Sequence, residues 1–155
     1  MRQRLAYDRC RGRGSLPKSH RQESTVEIYN RSTSFIKLDS LIIKNAQKSE
    51  SKVISTSTIL YPGKYIAFSK NTGFLKTTYN TPDTAAFLEA ILPSLNVDGA
   101  NVSLISNQNG QSITIDSFDY TESMHFELLD FTKGVSLERI SLSGNTNDAN
   151  NWHSA

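Results

Sequence analysis

Short runs of alternating apolar and polar residues dominate the chain from residue 25 onwards, and this period-two pattern is typical of half-buried β-strands. Residues 25–30 (TVEIYN) place Val26 and Ile28 on one face of a predicted strand. Residues 35–44 (FIKLDSLIIK) follow after a polar segment that favours a turn. We therefore expect these two runs to pair as a hairpin.

The next part of the chain continues the pattern, with a strong turn signal between two runs. Residues 52–60 are rich in Ser, Thr and β-branched side chains, which indicates an exposed strand. In residues 61–64 (YPGK), Pro62 fixes φ at one central position and Gly63 can take the positive φ of a type II turn at the next. Residues 64–69 (KYIAFS) form the following predicted strand.

Residues 70–92 interrupt the alternation. The small amount of helix that the pattern predicts lies in this segment. Residues 72–79 fit a short helical turn, and residues 85–90 (AAFLEA), which follow Pro82, fit a second one. The helical content of the chain is therefore expected to be small.

Two turn signals organise the segment that follows. Asp98 and Gly99 indicate a turn before the strand predicted at residues 102–106. Asn109-Gly110 is the strongest hairpin signal in the chain, because both residues tolerate positive φ. It joins residues 102–106 to a second strand at residues 112–118.

The last predicted strand is residues 134–141 (GVSLERIS), in which Arg139 fits the alternation imperfectly. We expect Arg139 to bind a carboxylate and so hold the strand or the loop after it. A long polar run then ends at Trp152, which should pack back onto the core. About eight short β segments with little helix predict an all-β domain, in the form of a β-sandwich.

Charge is distributed unevenly along the 155 residues. The net charge is +2, but residues 1–22 hold seven basic side chains and one acidic side chain, which gives +6 and leaves −4 for the rest. We expect residues 1–24 to be a disordered basic segment outside the domain, because they lack hydrophobic periodicity. Such an arm could also bind nucleic acid, which is one alternative function.

Other features limit the classes of protein that fit. No run approaches the length of apolar sequence that a membrane span requires, so no membrane span is expected. The Arg-rich start is not followed by the apolar region of a secretory signal, so the sequence does not determine the cellular compartment. Cys10 is the single cysteine, which excludes an internal disulfide.

The candidate chemistry is weak. His125 and His153 lie among many Ser and acidic residues, but no nucleophile motif accompanies them, so we expect no enzyme and no cofactor. His125 is better explained as a partly buried side chain. Asp116, Asp119 and Glu122 could collect oxygen ligands for calcium, but their spacing differs from that of an EF-hand. We expect them to be a solvated polar edge.

Three separated segments together resemble the lamin-tail domain found in bacterial secreted and surface proteins. They are VEIYNRS at residues 26–32, LPSLNVDGANVSLIS at residues 92–106, and GVSLER followed by a polar loop and NWHSA. The residues that make up this signature are Glu27, Tyr29, Asn30, Asp98, Gly99, His125, Gly134, Leu137, Glu138, Arg139 and Trp152.

The resemblance implies an immunoglobulin-like β-sandwich over residues 25–155, used as a binding or structural module. It implies docking to a protein partner or neighbouring domain, in a secreted or envelope protein, and leaves the oligomeric state open. An alternative is an accessory domain of a secreted hydrolase or nuclease. The family usually has an apolar strand before residue 26 and a closing segment after the one that ends at Ala155, so we expect truncation at both ends. A missing first strand would leave the edge beside residues 25–30 open to an added strand.

Overall fold

The computed structural model describes residues 2–6, 24–78, 86–132 and 135–155, and describes residues 2–6 by their backbone. Within these residues the chain forms one helix, α1 (Thr72–Thr78), three short 3-10 helices and twelve strands. The strands are β1 (Arg2–Ala6), β2 (Thr25–Tyr29), β3 (Ile36–Lys37), β4 (Leu41–Asn45), β5 (Glu50–Val53), β6 (Ile59–Leu60), β7 (Tyr65–Ser69), β8 (Phe87–Glu89), β9 (Gly99–Gln108), β10 (Gln111–Thr121), β11 (Leu137–Arg139) and β12 (Trp152–Ser154). The predicted all-β character is confirmed.

The first sheet has six strands in the order β12-β11-β1-β2-β7-β8. Neighbouring strands are antiparallel except β7 and β8, which are parallel. β2 pairs with β1 on one side and β7 on the other, so the hairpin expected between residues 25–30 and 35–44 is wrong. A 3-10 helix at Leu38–Ser40 breaks the second run, and β4 after it joins the second sheet.

Strand β1 changes the interpretation of the N-terminus. Arg2–Ala6 was expected to belong to a disordered arm, but its backbone pairs with both β2 and β11. Strand pairing uses main-chain donors and acceptors, which every non-proline residue supplies, so an Arg-rich segment can still form a strand. The edge expected beside β2 is therefore occupied. The remainder of residues 1–23 lies outside the described residues.

The second sheet has four antiparallel strands in the order β10-β9-β4-β5. Its long hairpin, β9 and β10, turns at Asn109 and Gly110, whose φ angles are 52° and 77°. Positive φ at both positions is the mark of a type I′ turn, so the hairpin predicted from Asn-Gly is confirmed. A bulge at Ile115 shifts the pairing between Thr114 and Asp116.

One hydrophobic core receives side chains from both of these sheets. From the first sheet come Val26, Ile28, Ile66, Phe68, Leu137 and Trp152; from the second come Leu41, Ile43, Ala100, Val102, Leu104, Phe118 and Tyr120. Burial of large apolar side chains is the main stabilising contribution to such a fold. The third, two-stranded sheet of β3 and β6 adds Leu60 to this core.

Residues 61–92 contain one confirmed helix, one confirmed turn and one wrong prediction. Helix α1 lies where it was predicted. The turn at residues 61–64 forms with Gly63 at φ 69° and the Lys64 N–H donating to the Tyr61 carbonyl. The second predicted helix is wrong for Phe87–Glu89, because these residues form β8 beside β7. Residues 79–85, which precede this strand in the chain, lie outside the described residues.

Candidate functional site

Arg139 at the end of β11 joins both sheets to the polar loop, residues 141–148. Its side chain is buried, and Nη1 lies 3.4 Å from Oδ2 of Asp116 on β10. Nε donates to the Ser141 carbonyl at 3.1 Å, and Nη2 donates to the Gly144 carbonyl. The expected pairing of Arg139 with a carboxylate is confirmed, and two of its bonds hold the polar loop.

Trp152 completes this anchor from the core side. Its ring stacks on Phe118 with centroids 3.7 Å apart, and its Nε1 donates to the Thr146 carbonyl at 2.7 Å. Thr146 Oγ1 in turn donates to Asp116 Oδ1 at 2.7 Å. Trp152 packs back onto the core as expected, and it holds the polar loop against β10.

Asn151, which follows the polar loop in the chain, binds the backbone of that loop. Its Nδ2 donates to the carbonyls of Ser141 and Asn145 at 3.0 and 3.1 Å, and its Oδ1 accepts the Ser141 N–H at 2.7 Å. Buried polar groups stabilise a structure when their hydrogen-bonding capacity is satisfied. These bonds give the polar loop a fixed conformation and assign it a structural role.

The three calcium candidates do not converge. Asp116 pairs with Arg139, while Asp119 lies on the opposite face of β10 and accepts a bond from Asn101 Nδ2 at 2.9 Å. Glu122 accepts a bond from Thr132 Oγ1 at 2.6 Å. Among the described residues, no group of three or more His, Cys, Asp or Glu side chains could hold a metal ion.

His125 is buried beside the C-terminal strand. Its Nδ1 lies 3.1 Å from Ser154 Oγ, and the same oxygen accepts the Phe126 N–H at 2.9 Å. Burial lowers the pKa of His125 from 6.5, against an opposing effect of the Glu122 charge. His125 and Ser154 thus fasten β12 to the residues that follow His125. His153 is exposed on β12.

Several signature residues serve the fold instead of a site. Asn30 is buried and joins two segments, since its Nδ2 donates to the carbonyls of Ser34 and Leu60. Tyr29 packs on Tyr65 with ring centroids 4.4 Å apart. Leu137 is in the core.

Of the other signature residues, two lie at a turn and two line a cavity. The Asp98 carbonyl accepts the Glu122 N–H at 3.1 Å, and Gly99 begins β9 with φ 152°. Glu27 and Glu138 line a cavity of about 670 Å³. Gly134 lies outside the described residues.

Among the described residues, the two most exposed large hydrophobic side chains lie in the apolar loop, residues 126–131 (FELLDF). Phe126, Leu128 and Phe131 are exposed to 62%, 81% and 82%. Single exposed apolar residues are common, but contiguous groups of large ones mark interaction surfaces. Its two acidic residues, Glu127 and Asp130, are exposed as well.

The apolar loop is held at both ends and by one internal bond. The Phe126 N–H is bonded to Ser154 Oγ, and Thr132 Oγ1 is bonded to Glu122. Inside the loop the Leu129 N–H donates to the Phe126 carbonyl at 3.0 Å. The exposed side chains are therefore presented from a fixed base. The sequence did not indicate this surface, because an apolar run without clear periodicity is equally consistent with burial.

Comparisons with known proteins identify no relative. No protein-family model matches the chain, and no curated protein or solved structure matches it. Across the described residues, no helix is long and apolar enough to cross a membrane.

Proposed function

We propose that this protein is a non-catalytic binding module that docks a protein partner through its apolar loop. The exposure of Phe126, Leu128 and Phe131 on an anchored loop is the observation that carries the proposal. An immunoglobulin-like sandwich of the lamin-tail type is part of this proposal. It is supported by the order of the signature segments and by one core shared between two sheets.

The chemistry of the apolar loop specifies the partner. Large apolar side chains alternate with Glu127 and Asp130, neither of which has a hydrogen bond or ion pair within the described residues. A complementary surface is an apolar cleft rimmed by Lys or Arg side chains. Burying a Phe or Leu side chain contributes roughly 1.5–3 kcal/mol, so three such anchors can offset the entropy lost on association.

Site-specific photo-crosslinking tests the proposal in extracts of the source cells. A benzoylphenylalanine probe replaces Phe131 in one protein and Phe35 in a matched control, since Phe35 is also exposed, at 62%. We expect one protein to be captured from position 131 and not from position 35. The purified captured protein should bind the unmodified chain, and Phe131→Ser should weaken that binding about tenfold or more.

Charge reversal supplies a second criterion. Glu127→Lys with Asp130→Lys should slow association with the captured protein, because it opposes a basic rim. Capture from position 131 that does not exceed capture from position 35 would show that the apolar loop is not the docking surface. Unchanged binding by Phe131→Ser would lead to the same conclusion.

A further inference from the structure

One edge of the second sheet is open over half of its length. β10 is the edge strand, and within the described chain no strand pairs with its outer side. In its C-terminal half the polar loop contacts this outer side, since the Asp119 N–H donates to Asn147 of the polar loop at 3.0 Å. Residues 111–115 (QSITI) are all exposed. We call this stretch the open edge.

The type I′ turn determines which backbone groups face outwards. Gln108 and Gln111 flank the two-residue turn, so they exchange hydrogen bonds with each other. The next pair, Asn107 and Ser112, is then non-hydrogen-bonded, and the pattern alternates along the hairpin. The N–H and C=O groups of Ser112 and Thr114 therefore point away from β9, into solvent.

The open edge lacks the charged and Pro residues that protect many edge strands. Natural edges often carry Pro, which lacks an N–H donor, or Lys and other charged residues, and these prevent pairing with another strand. Residues 99–115 contain no charged residue and no Pro. The opposite edge of the same sheet, β5, differs in this respect, because it includes Glu50 and Lys52. The bulge at Ile115 shortens the open edge but leaves residues 111–114 regular.

We propose that a second copy of this chain pairs antiparallel with the open edge, about a two-fold axis at Ile113. Ser112 then lies opposite Thr114 of the partner subunit, and the reciprocal pair completes four backbone hydrogen bonds. Ile113 faces Ile113 of the partner subunit as a non-hydrogen-bonded pair, the arrangement with the closest side chains. The two four-stranded sheets become one sheet of eight strands.

Symmetry and charge favour a second copy of this chain over a strand from a different protein. The outward groups are placed equally on both sides of Ile113, so the edge is complementary to itself. An uncharged edge produces no repulsion between two identical strands. Ile113 is 63% exposed and would be covered by its own copy. Stable complexes bury at least roughly 1,200 Å² of surface, and an interface of a few residues from each chain buries less. The dimer should therefore form only at high protein concentration.

Sedimentation velocity of the full chain over a concentration series tests this inference. We expect a reversible monomer–dimer equilibrium that Ile113→Lys weakens about tenfold or more, because two like charges meet at the axis. Ile140→Lys is the matched control, since Ile140 is also exposed, at 62%, and lies outside β10. This control should leave the dimer unchanged.

Two further variants report on geometry. Thr114→Pro removes an outward N–H that β9 does not use, so it should weaken the dimer while the monomer stays folded. Ile113→Cys, with Cys10→Ser, should form an intermolecular disulfide on mild oxidation, and Asn107→Cys on the other strand should not.

A chain that is monomeric at all concentrations, or a dimer that tolerates Ile113→Lys, would overturn the inference. Phe131→Ser should leave the dimer intact, which separates it from docking through the apolar loop.

Discussion

Replacement of Arg139 by Met is expected to destabilise the protein strongly. The guanidinium supplies bonds to Ser141, Gly144 and Asp116 from a buried position, and Met fills similar volume without any donor. Two carbonyls and a partly buried carboxylate then lose a partner. A buried acceptor that loses its donor typically costs about 1–3 kcal/mol, so the two carbonyls together account for roughly 2–6 kcal/mol, a large fraction of a usual stability of roughly 5–15 kcal/mol.

The contribution of each bond can be separated by comparing variants. The contact to Asp116 is 3.4 Å, longer than the 3.1 Å bond to the Ser141 carbonyl. Asp116 also keeps its bonds from Thr146 Oγ1 and the Ser117 N–H when Arg139 is lost. Asp116→Asn should therefore cost only about 1 kcal/mol. The polar loop, more than the carboxylate, is what Arg139 stabilises.

Equilibrium urea unfolding measures these free energies. Trp152 is the single tryptophan and stacks on Phe118, so its fluorescence reports loss of the core packing beside Arg139. Arg31→Met is the matched control, because Arg31 is exposed and donates to the Leu142 carbonyl at 3.0 Å. Its loss should cost less than about 1 kcal/mol.

Two results would refute this explanation of the Arg139 anchor. If Asp116→Asn destabilised the protein as much as Arg139→Met, the ion pair would be the main stabilising interaction and the carbonyl bonds would be secondary. If Arg139→Met cost no more than Arg31→Met, the buried bonds to the polar loop would contribute nothing specific. Amide hydrogen exchange in residues 141–148 should rise much more in Arg139→Met than in Arg31→Met, because Arg31 makes one exposed bond to this segment.

Three further variants test separate features. The folded-state pKa of His125 is below 6.5, so the unfolded chain binds more protons, and stability should fall as pH drops from about 6.5 through the folded pKa; His125→Gln should flatten this dependence in urea unfolding. Gly99→Ala should lower the thermal midpoint, because Gly99 has φ 152° and a Cβ there would lie 2.9 Å from the Tyr120 carbonyl oxygen, and Gly110→Ala offers a comparison with open space. Thr25→Val should raise the unfolding free energy by about 1 kcal/mol, because the buried Thr25 Oγ1 has no partner within the described residues, and an unchanged value would show that this hydroxyl is solvated.

Features determined by adjacent residues were predictable from the sequence. The turn at Pro62-Gly63 and the hairpin at Asn109-Gly110 depend on φ preferences of the residues themselves. Helix α1 and the inward packing of Trp152 follow from local patterns in the same way. Such signals need no knowledge of what the segment contacts in the folded chain.

Strand partners and exposure depend on distant segments and were not predictable. β2 pairs with β1 and β7 instead of the next run along the chain, because partner choice depends on which faces pack into the core. Phe87–Glu89 has helix-forming neighbours in the sequence, yet the backbone edge of β7 makes it a strand. The burial of Asn30 and the exposure of Leu128 are likewise consequences of the assembled fold.

The Arg139 anchor also sets the limits of the open edge. The polar loop that Arg139, Asn151 and Trp152 fix is the segment that supplies Asn147 to the N–H of Asp119 on β10. An edge strand left uncovered along its whole length would offer many more backbone groups for pairing and would favour uncontrolled association. By bonding to the Asp119 N–H, the polar loop occupies part of the outer side of β10, while Ser112 and Thr114 in the N-terminal half present backbone groups to solvent. The burial of Arg139, which breaks the alternation of its strand, is thus explained by a bond network that holds the polar loop and brings Asn147 to the outer side of β10.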